Sequence, residues 1–339
     1  MKVTIAIAVY NVELYVEKSV ASALNQDFDD YEVLVVDDCG SDCTIEKVEK
    51  LMKSSPKGYI VSIIHHEQNK GTGAVRNTCI EKARGEYILF MDGDDYLSPE
   101  SVKLLYEASK INDADIVMGN HQRVYSDGKI ESTSNYKAGM STAKYAITSW
   151  MSNNNTNYYP VATWNKLFKT SFLRTNNIKC VSWHRQEDIF FSLQTLLVAK
   201  TIVTIPEITY YWLQRDGSCI HQDATEWHLR QYLDIFDRCI SLLEGVDKND
   251  NKAPKELYWI VTQRYLSGFI TQNILKSYRL SNKQKNDYLR HIKIITRHIS
   301  FLEEYNCVQK IVYLALKSPC PLLYMRLLYT SSKIRKYFH

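Results

Sequence analysis

Strand-length hydrophobic runs recur through the first third of the chain, and they constrain its fold more than any other feature. Four of them cover residues 3–9, 31–37, 59–65 and 87–92, and a fifth covers 115–119. The runs are nearly continuous rather than alternating, which is typical of strands buried on both faces of a parallel sheet. Segments with helical spacing lie between them. The predicted fold class is therefore α/β, with an open, mostly parallel sheet flanked by helices.

A polar stretch follows each of the four long runs, and these stretches mark the expected ligand site. They read AVYN (8–11), DDCGSD (37–42), HHEQNKGTG (65–73) and DGDD (92–95). In an open α/β sheet, ligands bind beyond the carboxyl ends of the strands, where loops and helix N-termini converge. We therefore expect the four stretches to meet at one edge of the sheet.

The DGDD stretch places the carboxylates of Asp92, Asp94 and Asp95 at the end of the fourth run. Because like charges repel and are costly to bury, a divalent cation is a natural partner for them. Mn²⁺ and Mg²⁺ take oxygen ligands, commonly one or two carboxylates, and substrate phosphates complete the shell. Taken alone, the stretch is equally compatible with an aspartate-rich turn in solvent.

Charge and cysteine content limit the classes of partner. The net charge of +4 conceals a basic C-terminal quarter, since residues 263–339 hold 14 Lys and Arg against three Asp and Glu. This favours an anionic membrane surface as a partner, although a packed helical pair with a basic face would have the same composition. Nucleic acid is disfavoured, because the basic residues are mixed with aliphatic ones and form no known binding module. Eight scattered cysteines without a C-x-x-C pair predict reduced thiols.

Hydropathy predicts no membrane-spanning helix. The most apolar late span, 311–328, is interrupted by charged residues and prolines. The N-terminal apolar run lacks a small-residue cleavage site, so it is interpreted as a first core strand. Together with the basic C-terminal quarter, these features lead us to expect a cytoplasmic protein at the inner face of the cell membrane.

Seven motifs in fixed order resemble the inverting glycosyltransferases of family 2. They are IAVYN, VLVVDD followed by GSD (40–42), NKGTGAVRN, GEYILFMDGDDYL, TWNKLF, QEDIFF, and YYWLQRDGS with His221 close behind. The resemblance covers residues 1–222 and implies a GT-A fold, a domain that binds a nucleotide-diphospho-sugar. Residues 1–119 would then bind the nucleotide sugar, and residues 120–222 would bind the acceptor and carry the base. Residues 223–339 remain as a helical, basic C-terminal extension.

The resemblance implies roles for five residues on the nucleotide side: Ala8, Tyr10, Asp37, Asp38 and Arg76. The first two line the base pocket, Asp38 contacts the uracil, and Asp37 lies close by. The alternative for the aspartates is a helix N-cap cluster. Arg76 approaches the diphosphate, a role suited to a fixed guanidinium fork. Arg76 also stands where a dinucleotide fingerprint has its third glycine, which argues against a dehydrogenase.

The same resemblance assigns the cation and the leaving group to two motifs. Asp92 lies towards the sugar nucleotide, and Asp94 is the main ligand of the Mn²⁺ or Mg²⁺ ion that bridges the two phosphates. Asp95 adds a contact behind them. His221 is a further candidate ligand, although a lone histidine is more often structural.

The resemblance places the general base and the acceptor side elsewhere in the chain. Asp188 of QEDIFF is the implied base, with Glu187 as its neighbour. A carboxylate in the first turn of a helix is favoured in its ionised form, which suits proton acceptance. Trp164, Lys166 and Glu187 are acceptor-side candidates. A helix-starting acidic pair and a core tryptophan are the alternatives for these residues.

The implied activity is inverting, metal-dependent transfer of a sugar from a UDP-sugar to a hydroxyl of a glycan or lipid-linked glycan. Bacterial surface polysaccharide synthesis is the implied context. The alternative is a non-catalytic module that binds nucleotide sugars or glycans and retains the fold. Donor sugar, acceptor and linkage depend on loops in which the sequence has no interpretable pattern.

Overall fold

The computed structural model describes residues 1–111, 113–143, 161–182, 186–215, 226–248, 261 and 280–296. The chain forms two compact units, Met1–Ser218 and Cys219–His339. Over the described ranges, no helix is both long enough and apolar enough to cross a lipid bilayer.

The first unit contains the predicted alternation of strands and helices. Its described strands are β1 (Val3–Val9), β2 (Tyr31–Asp37), β3 (Val61–His65), β4 (Tyr87–Asp92), β5 (Tyr96–Leu97), β6 (Ile116–Tyr125), β7 (Ile130–Ser132), β8 (Gly139–Ser141), β9 (Lys166–Lys169) and β10 (Ile202–Gln214). Its described helices are α1 (Val16–Leu24), α2 (Thr44–Ser54), α3 (Thr72–Lys82), α4 (Ser101–Lys110), α5 (Thr170–Thr175) and α6 (Glu187–Val198), with a 3-10 turn at Gly58–Ile60.

The strands form one sheet in the order β3-β2-β1-β4-β9-β6-β10-β5, with β7 paired to β6 and β8 paired to β10. Strands β3, β2, β1 and β4 run parallel. Strand β9 is antiparallel to both of its neighbours, β4 and β6. Because β2 and β3 lie on one side of β1 and β4 lies on the other, the order of strands reverses there. Such a switch point is where open α/β sheets bind ligands.

The register of the parallel strands brings their carboxyl ends into line. Val9 lies beside Asp37, Asp37 lies beside His65, and Ala8 lies beside Asp92. The polar stretches that follow these strands therefore begin at the same edge of the sheet, as the sequence predicts.

Burial explains why these segments adopt this structure. Every residue of β2 is buried, as expected for a strand covered on both faces. On α1, the buried apolar residues Val16, Val20, Ala23 and Leu24 recur at helical spacing and form one stripe. These stripes pack on the sheet, and the shared core fixes the strand ends that carry the site.

The second unit is helical in its described part. It contains α7 (Glu226–Lys248) and α8 (Asn282–Thr296). Leu233, Phe236 and Leu243 of α7 and Leu289 of α8 are buried. We expect membrane binding from the basic C-terminal quarter, and most of that quarter, including residues 297–339, lies outside the described residues.

Candidate active site

The loop that follows β4 is held tightly against the end of β1. The N–H of Gly93 donates to the carbonyl of Ala8 at 2.9 Å, and the N–H of Asp95 donates to the carbonyl of Asp92 at 3.1 Å. A Cβ atom at position 93 would lie 2.8 Å from both the Ala8 oxygen and Val9 Cγ1. The close approach therefore requires glycine, which explains why the aspartates are spaced by this residue.

Asp95 turns inward and anchors this loop. Its carboxylate is 1% exposed and accepts hydrogen bonds from the Tyr210 hydroxyl at 2.7 Å and the Leu213 N–H at 2.8 Å. Burial raises the pKa of Asp95 well above its usual value, and the charges of Asp94 and Asp92 raise it further. The predicted contact behind the other two aspartates is thus an anchor between the loop and β10.

Asp92 and Asp94 each contact an arginine. Arg76 Nη2 lies 3.3 Å from Asp92 Oδ1, and Arg215 Nε lies 2.6 Å from Asp94 Oδ2. The Asp92 and Asp94 side chains are 33% and 22% exposed. Burial raises the pKa of Asp92, against the opposing effect of Arg76. Asp92 and Asp94 are therefore each paired with a guanidinium group, which differs from a turn that is simply open to solvent.

The carboxylate oxygens of Asp92 and Asp94 fit a divalent cation only if a substrate supplies the remaining ligands. Within the part of the chain that the structure describes, no three His, Cys, Asp or Glu side chains are grouped so that they could hold a metal ion. Asp92 and Asp94 are partly exposed oxygen donors at a strand end, and phosphate oxygens commonly complete such a shell. His221, the other predicted ligand, lies outside the described residues.

Arg76 joins the loop that carries the three aspartates, Asp92–Asp95 (the aspartate loop), to the start of α6. It is 5% exposed, and its Nη1 lies 2.6 Å from Glu187 Oε1 while its Nη2 faces Asp92. Burial alone would lower the pKa of Arg76, but the carboxylates of Glu187 and Asp92 outweigh it and raise that pKa. Burial raises the pKa of Glu187, and Arg76 opposes that shift. Arg76 is thus shared between two carboxylates, and the three side chains form one ion-paired group.

Helix α3 positions the chain segment that leads to α6. Asn77 Nδ2 donates to the Cys180 carbonyl at 2.9 Å, and the Cys180 N–H donates back to Asn77 Oδ1 at 2.8 Å. A Cβ atom at Gly73 would collide with the backbone of Val181. The helix that carries Arg76 therefore also fixes the approach to the predicted base.

Asp188 lies in the first turn of α6, directly after Glu187. The preceding Gln186 has a φ of 67°, a left-handed conformation that is uncommon outside glycine and marks a constrained backbone. Asp188 is half-buried and acts electrostatically on both Arg76 and Lys166. The structure thus brings the predicted base, its neighbour Glu187 and the predicted phosphate arginine together.

Lys166 and Trp164, two of the three acceptor-side candidates, are less exposed than their predicted roles suggest. Lys166 is buried, and its Nζ donates to the carbonyl of Ala162. Burial lowers the pKa of Lys166 to about 7, and Asp188 opposes that shift. Trp164 stacks on Tyr210 at 4.8 Å and packs against the hydrophobic core. The alternative of a core tryptophan therefore has structural support, and contact with the acceptor stays a prediction for both residues.

On the nucleotide side, Asp38 fixes a turn. Its buried carboxylate accepts the N–H groups of Lys70 and Gly71 at 2.9 and 2.7 Å, and it lies 2.7 Å from His66 Nδ1. Asp37 accepts the N–H of Gly40 at 3.0 Å. The uracil contact of Asp38 remains a prediction.

Ala8 and Tyr10, the other residues predicted on the nucleotide side, lie at the carboxyl end of β1. Ala8 pairs with Asp92 one residue before β1 ends, and Tyr10 follows the strand on the surface with 47% of its area exposed. Their contact with the base stays a prediction.

Asp42 accepts the N–H groups of Thr44 and Glu13, both at 3.0 Å. Asp42 thus holds the N–H of Thr44, the first residue of α2, while the N-cap residue is Cys43, whose side chain makes no capping hydrogen bond. The N-cap alternative therefore accounts for Asp42 better than for Asp38, which accepts the N–H groups of Lys70 and Gly71.

Two residues of the site, Tyr210 and Arg215, escaped the sequence reasoning. Both lie in the YYWLQRDGS motif, and Arg215 is its only basic residue. The motif singled out this segment, but it did not indicate that β10 lies beside the aspartate loop. The pairing of Tyr210 with Leu97 and of Tyr211 with Tyr96 brings β10 there.

Comparisons with known proteins show the family to which this chain is similar. The model of the family described as "Glycosyl transferase family 2" matches residues 4–177. Poly(ribitol-phosphate) beta-glucosyltransferase of Bacillus spizizenii is 27% identical over 299 residues, which is 86% of this chain and 44% of the relative. The putative glycosyltransferase EpsH of Bacillus subtilis is 26% identical over 214 residues, covering 62% of this chain and 60% of EpsH. The chain thus spans only part of the length of these relatives.

A solved structure matches nearly the whole chain. Staphylococcus aureus TarS 1–349, crystallised in complex with UDP-GlcNAc, superimposes with a TM-score of 0.73 at 20% identity. The match covers 96% of this chain and 90% of the TarS chain. At this identity the likeness concerns the fold alone, and the predicted GT-A architecture is confirmed.

Proposed function

We propose, on the premise that the chain belongs to glycosyl transferase family 2, that it is an inverting, metal-dependent glycosyltransferase. It would transfer a sugar from a UDP-sugar to a hydroxyl of a glycan or lipid-linked glycan. The observation that supports this most is the Arg76 bridge, which joins Asp92 to Glu187. Through it, the two aspartates that would hold a cation are joined to the first turn of α6, which carries Asp188, near the switch point of the sheet.

The choice of donor and context follows from the relatives. TarS was crystallised with UDP-GlcNAc, and the Bacillus spizizenii relative is named for glucosyl transfer to poly(ribitol-phosphate). UDP-GlcNAc and UDP-glucose are therefore the first donors to test, and an anionic surface polymer of bacteria is the first acceptor class.

In the proposed mechanism, the leaving group and the proton are handled by different elements. Asp94, with Asp92 beside it, would hold Mn²⁺ or Mg²⁺, and His221 would be a further ligand. The bound cation supplies charge neutralisation for the departing diphosphate. Ala8, Tyr10, Asp37 and Asp38 would hold the nucleoside.

Asp188 takes the proton of the acceptor hydroxyl while that oxygen attacks the anomeric carbon from the face opposite the diphosphate. The bond between the anomeric carbon and the phosphate oxygen breaks with its electron pair, and UDP departs. Glu187 and Arg76 keep the first turn of α6 in place during this step. The configuration at the anomeric carbon inverts.

Donor consumption by the purified chain tests this function. With MnCl₂ present, release of UDP is measured for UDP-GlcNAc, UDP-glucose and UDP-galactose, with EDTA as the metal-free control. A thermal-shift screen of the same donors selects those that bind. We expect at least one donor to be consumed in a Mn²⁺-dependent manner. A binding module that retains the fold would bind a donor and leave it intact.

Asp94→Asn is expected to remove the effect of Mn²⁺ on UDP binding, because a neutral amide is a poor ligand for a hard cation. Titration calorimetry with MnCl₂ or EDTA measures this. The wild-type chain should bind UDP at least about tenfold more tightly with Mn²⁺, which corresponds to about 1.4 kcal/mol. Asp127→Asn, in an exposed turn before Gly128, is the matched control. Equal affinity with and without Mn²⁺ in the wild type would count against the metal.

The basic C-terminal region is proposed to hold the protein at the inner face of the cell membrane. The 14 Lys and Arg against three Asp and Glu in residues 263–339 support attraction to anionic lipid. In a flotation assay, the full chain should float with vesicles of phosphatidylglycerol and remain behind with phosphatidylcholine vesicles. Removal of residues 305–339 should reduce flotation. Equal behaviour with both lipids would contradict the proposal.

A further inference from the structure

We propose that Arg215 is a second arginine for the donor diphosphate, and that it exchanges Asp94 for phosphate oxygens when a divalent cation binds. This inference rests on the proposed function, because it requires a nucleoside diphosphate and a cation in the same crevice.

Arg215 is held at the aspartate loop by the backbone that precedes it. Strand β10 pairs with β5, directly after the loop, through Tyr210 with Leu97 and Tyr211 with Tyr96. The Leu213 N–H then donates to Asp95 at 2.8 Å. Arg215 is two residues further along, so its position relative to the loop is fixed by the fold.

The guanidinium group of Arg215 contacts both loops that flank the switch point. Its Nε lies 2.6 Å from Asp94 Oδ2, in the loop after β4. Its Cζ lies 5.2 Å from the ring centroid of Tyr15, in the segment after β1. A diphosphate that links a nucleoside at β1 to a sugar at β4 would pass beside this group. The Arg215 side chain is 25% exposed, which leaves it accessible to such a ligand.

The charges explain why the contact between Arg215 and Asp94 should change on binding. Without ligand, Arg76 is paired with Asp92 and Arg215 is paired with Asp94, whereas Asp95 is held by neutral donors. A divalent cation at Asp94 would compete for the carboxylate oxygen that Arg215 holds and would repel the guanidinium. The diphosphate brings new oxygen acceptors that match the planar donor fork. The exchange keeps Arg215 paired in both states.

Arg76 is less suited to this exchange. It is 5% exposed and already lies between Glu187 and Asp92. Moving it would leave two carboxylates uncompensated, which is costly for buried ion pairs. The two arginines thus differ in function. Arg76 keeps its contacts with Glu187 and Asp92, whereas Arg215 exchanges Asp94 for phosphate oxygens when the ligand binds.

The test uses Arg215→Gln in the full chain and two binding measurements that should change in opposite directions. Mn²⁺ alone, titrated by electron paramagnetic resonance without nucleotide, should bind several-fold more tightly than to the wild type, because its competitor for Asp94 is gone. UDP at saturating Mn²⁺ should bind roughly tenfold to a hundredfold more weakly, because a charge-assisted contact to phosphate is lost.

Two further variants serve as controls. Arg238→Gln removes an arginine that makes the same type of contact, Nε to Asp234 Oδ2 at 2.7 Å, on the exposed face of α7. It should leave both affinities at their wild-type values. Arg215→Lys keeps the positive charge without the planar fork. It should keep Mn²⁺ binding near that of the wild type and weaken UDP binding less than Arg215→Gln does.

Three outcomes decide the matter. Opposite shifts in Arg215→Gln support the exchange, whereas unchanged affinities or two shifts in the same direction overturn it. If Arg215→Gln does not fold, Arg215→Lys decides the matter, and full wild-type affinity for UDP in that variant overturns the proposal. If the wild-type chain itself binds neither UDP nor Mn²⁺, it is the proposed function that fails, which is a distinct result.

Discussion

Asp188→Asn is expected to lower kcat for UDP-sugar consumption by a factor of about 10² to 10⁴, the usual contribution of a general base. The affinity for UDP should remain unchanged, because Asp188 lies on α6, whereas the proposed nucleotide contacts lie at the carboxyl ends of β1, β2 and β4, at Arg76 on α3 and at Arg215 directly after β10. Steady-state kinetics with a saturating donor and calorimetry with UDP and Mn²⁺ measure the two quantities separately.

A matched control for this variant is Glu46→Gln. Glu46 is an exposed acidic residue in the first turn of α2, so the substitution likewise removes a negative charge from a helix N-terminus. Its kinetics should equal those of the wild type. Unchanged kcat in Asp188→Asn would remove Asp188 from the role of base, and a parallel loss of UDP affinity would indicate a general disturbance of the site.

Arg76→Met is expected to destabilise the folded chain by about 3–5 kcal/mol, the usual cost of removing one partner from a buried ion pair. Glu187 and Asp92 would then face each other across an apolar side chain. Urea unfolding monitored by circular dichroism measures the loss. Arg76→Lys keeps a cation without the fork and should lose less.

The pH dependence of this loss separates charge from packing. Burial raises the pKa of both Asp92 and Glu187. When these groups take up protons in the folded variant, their uncompensated charge disappears, so the deficit should shrink as the pH falls and grow as it rises. Lys110→Met, which removes a partly exposed pair with Glu86, is the control and should cost about 1 kcal/mol or less. A pH-independent deficit in Arg76→Met would mean that packing, rather than charge, explains it.

The hydrophobic runs predicted the central strands well because burial on both faces leaves a clear signal. The bounds of β1, β2 and β4 coincide with the runs at 3–9, 31–37 and 87–92. Strand β3 begins at Val61 rather than at residue 59, because Gly58–Ile60 form a 3-10 turn. A Cβ atom at Gly58 would collide with the Met52 carbonyl, so the chain turns there against α2.

The short strands were not predicted because their pairing with distant strands, rather than their local sequence, makes them extended. Strand β9 is only four residues long and lies between β4 and β6. Its sequence, KLFK, has no periodicity that separates it from the adjoining helix α5. Strand propensity is weak where packing decides the conformation.

The sequence indicated the polar stretches of the candidate site, but it did not indicate which distant residues contact one another there. The positions of the polar stretches followed from the rule that strand ends gather at one edge. The contact between Arg215 and Asp94 joins residues 121 positions apart, and that between Arg76 and Glu187 joins residues 111 apart. Local sequence patterns carry no information on such pairs. The inward turn of Asp95 likewise depends on Tyr210 and Leu213, which come from a distant strand.

The most direct test of the central claim is the configuration of the first sugar released from an α-linked UDP-sugar. Proton nuclear magnetic resonance, recorded early while mutarotation is incomplete, distinguishes the anomers. With MnCl₂ and the purified full chain, we expect the β anomer to appear first and EDTA to stop its release. Initial release of the α anomer, or donors that remain intact with Mn²⁺ present, would contradict an inverting, metal-dependent transferase.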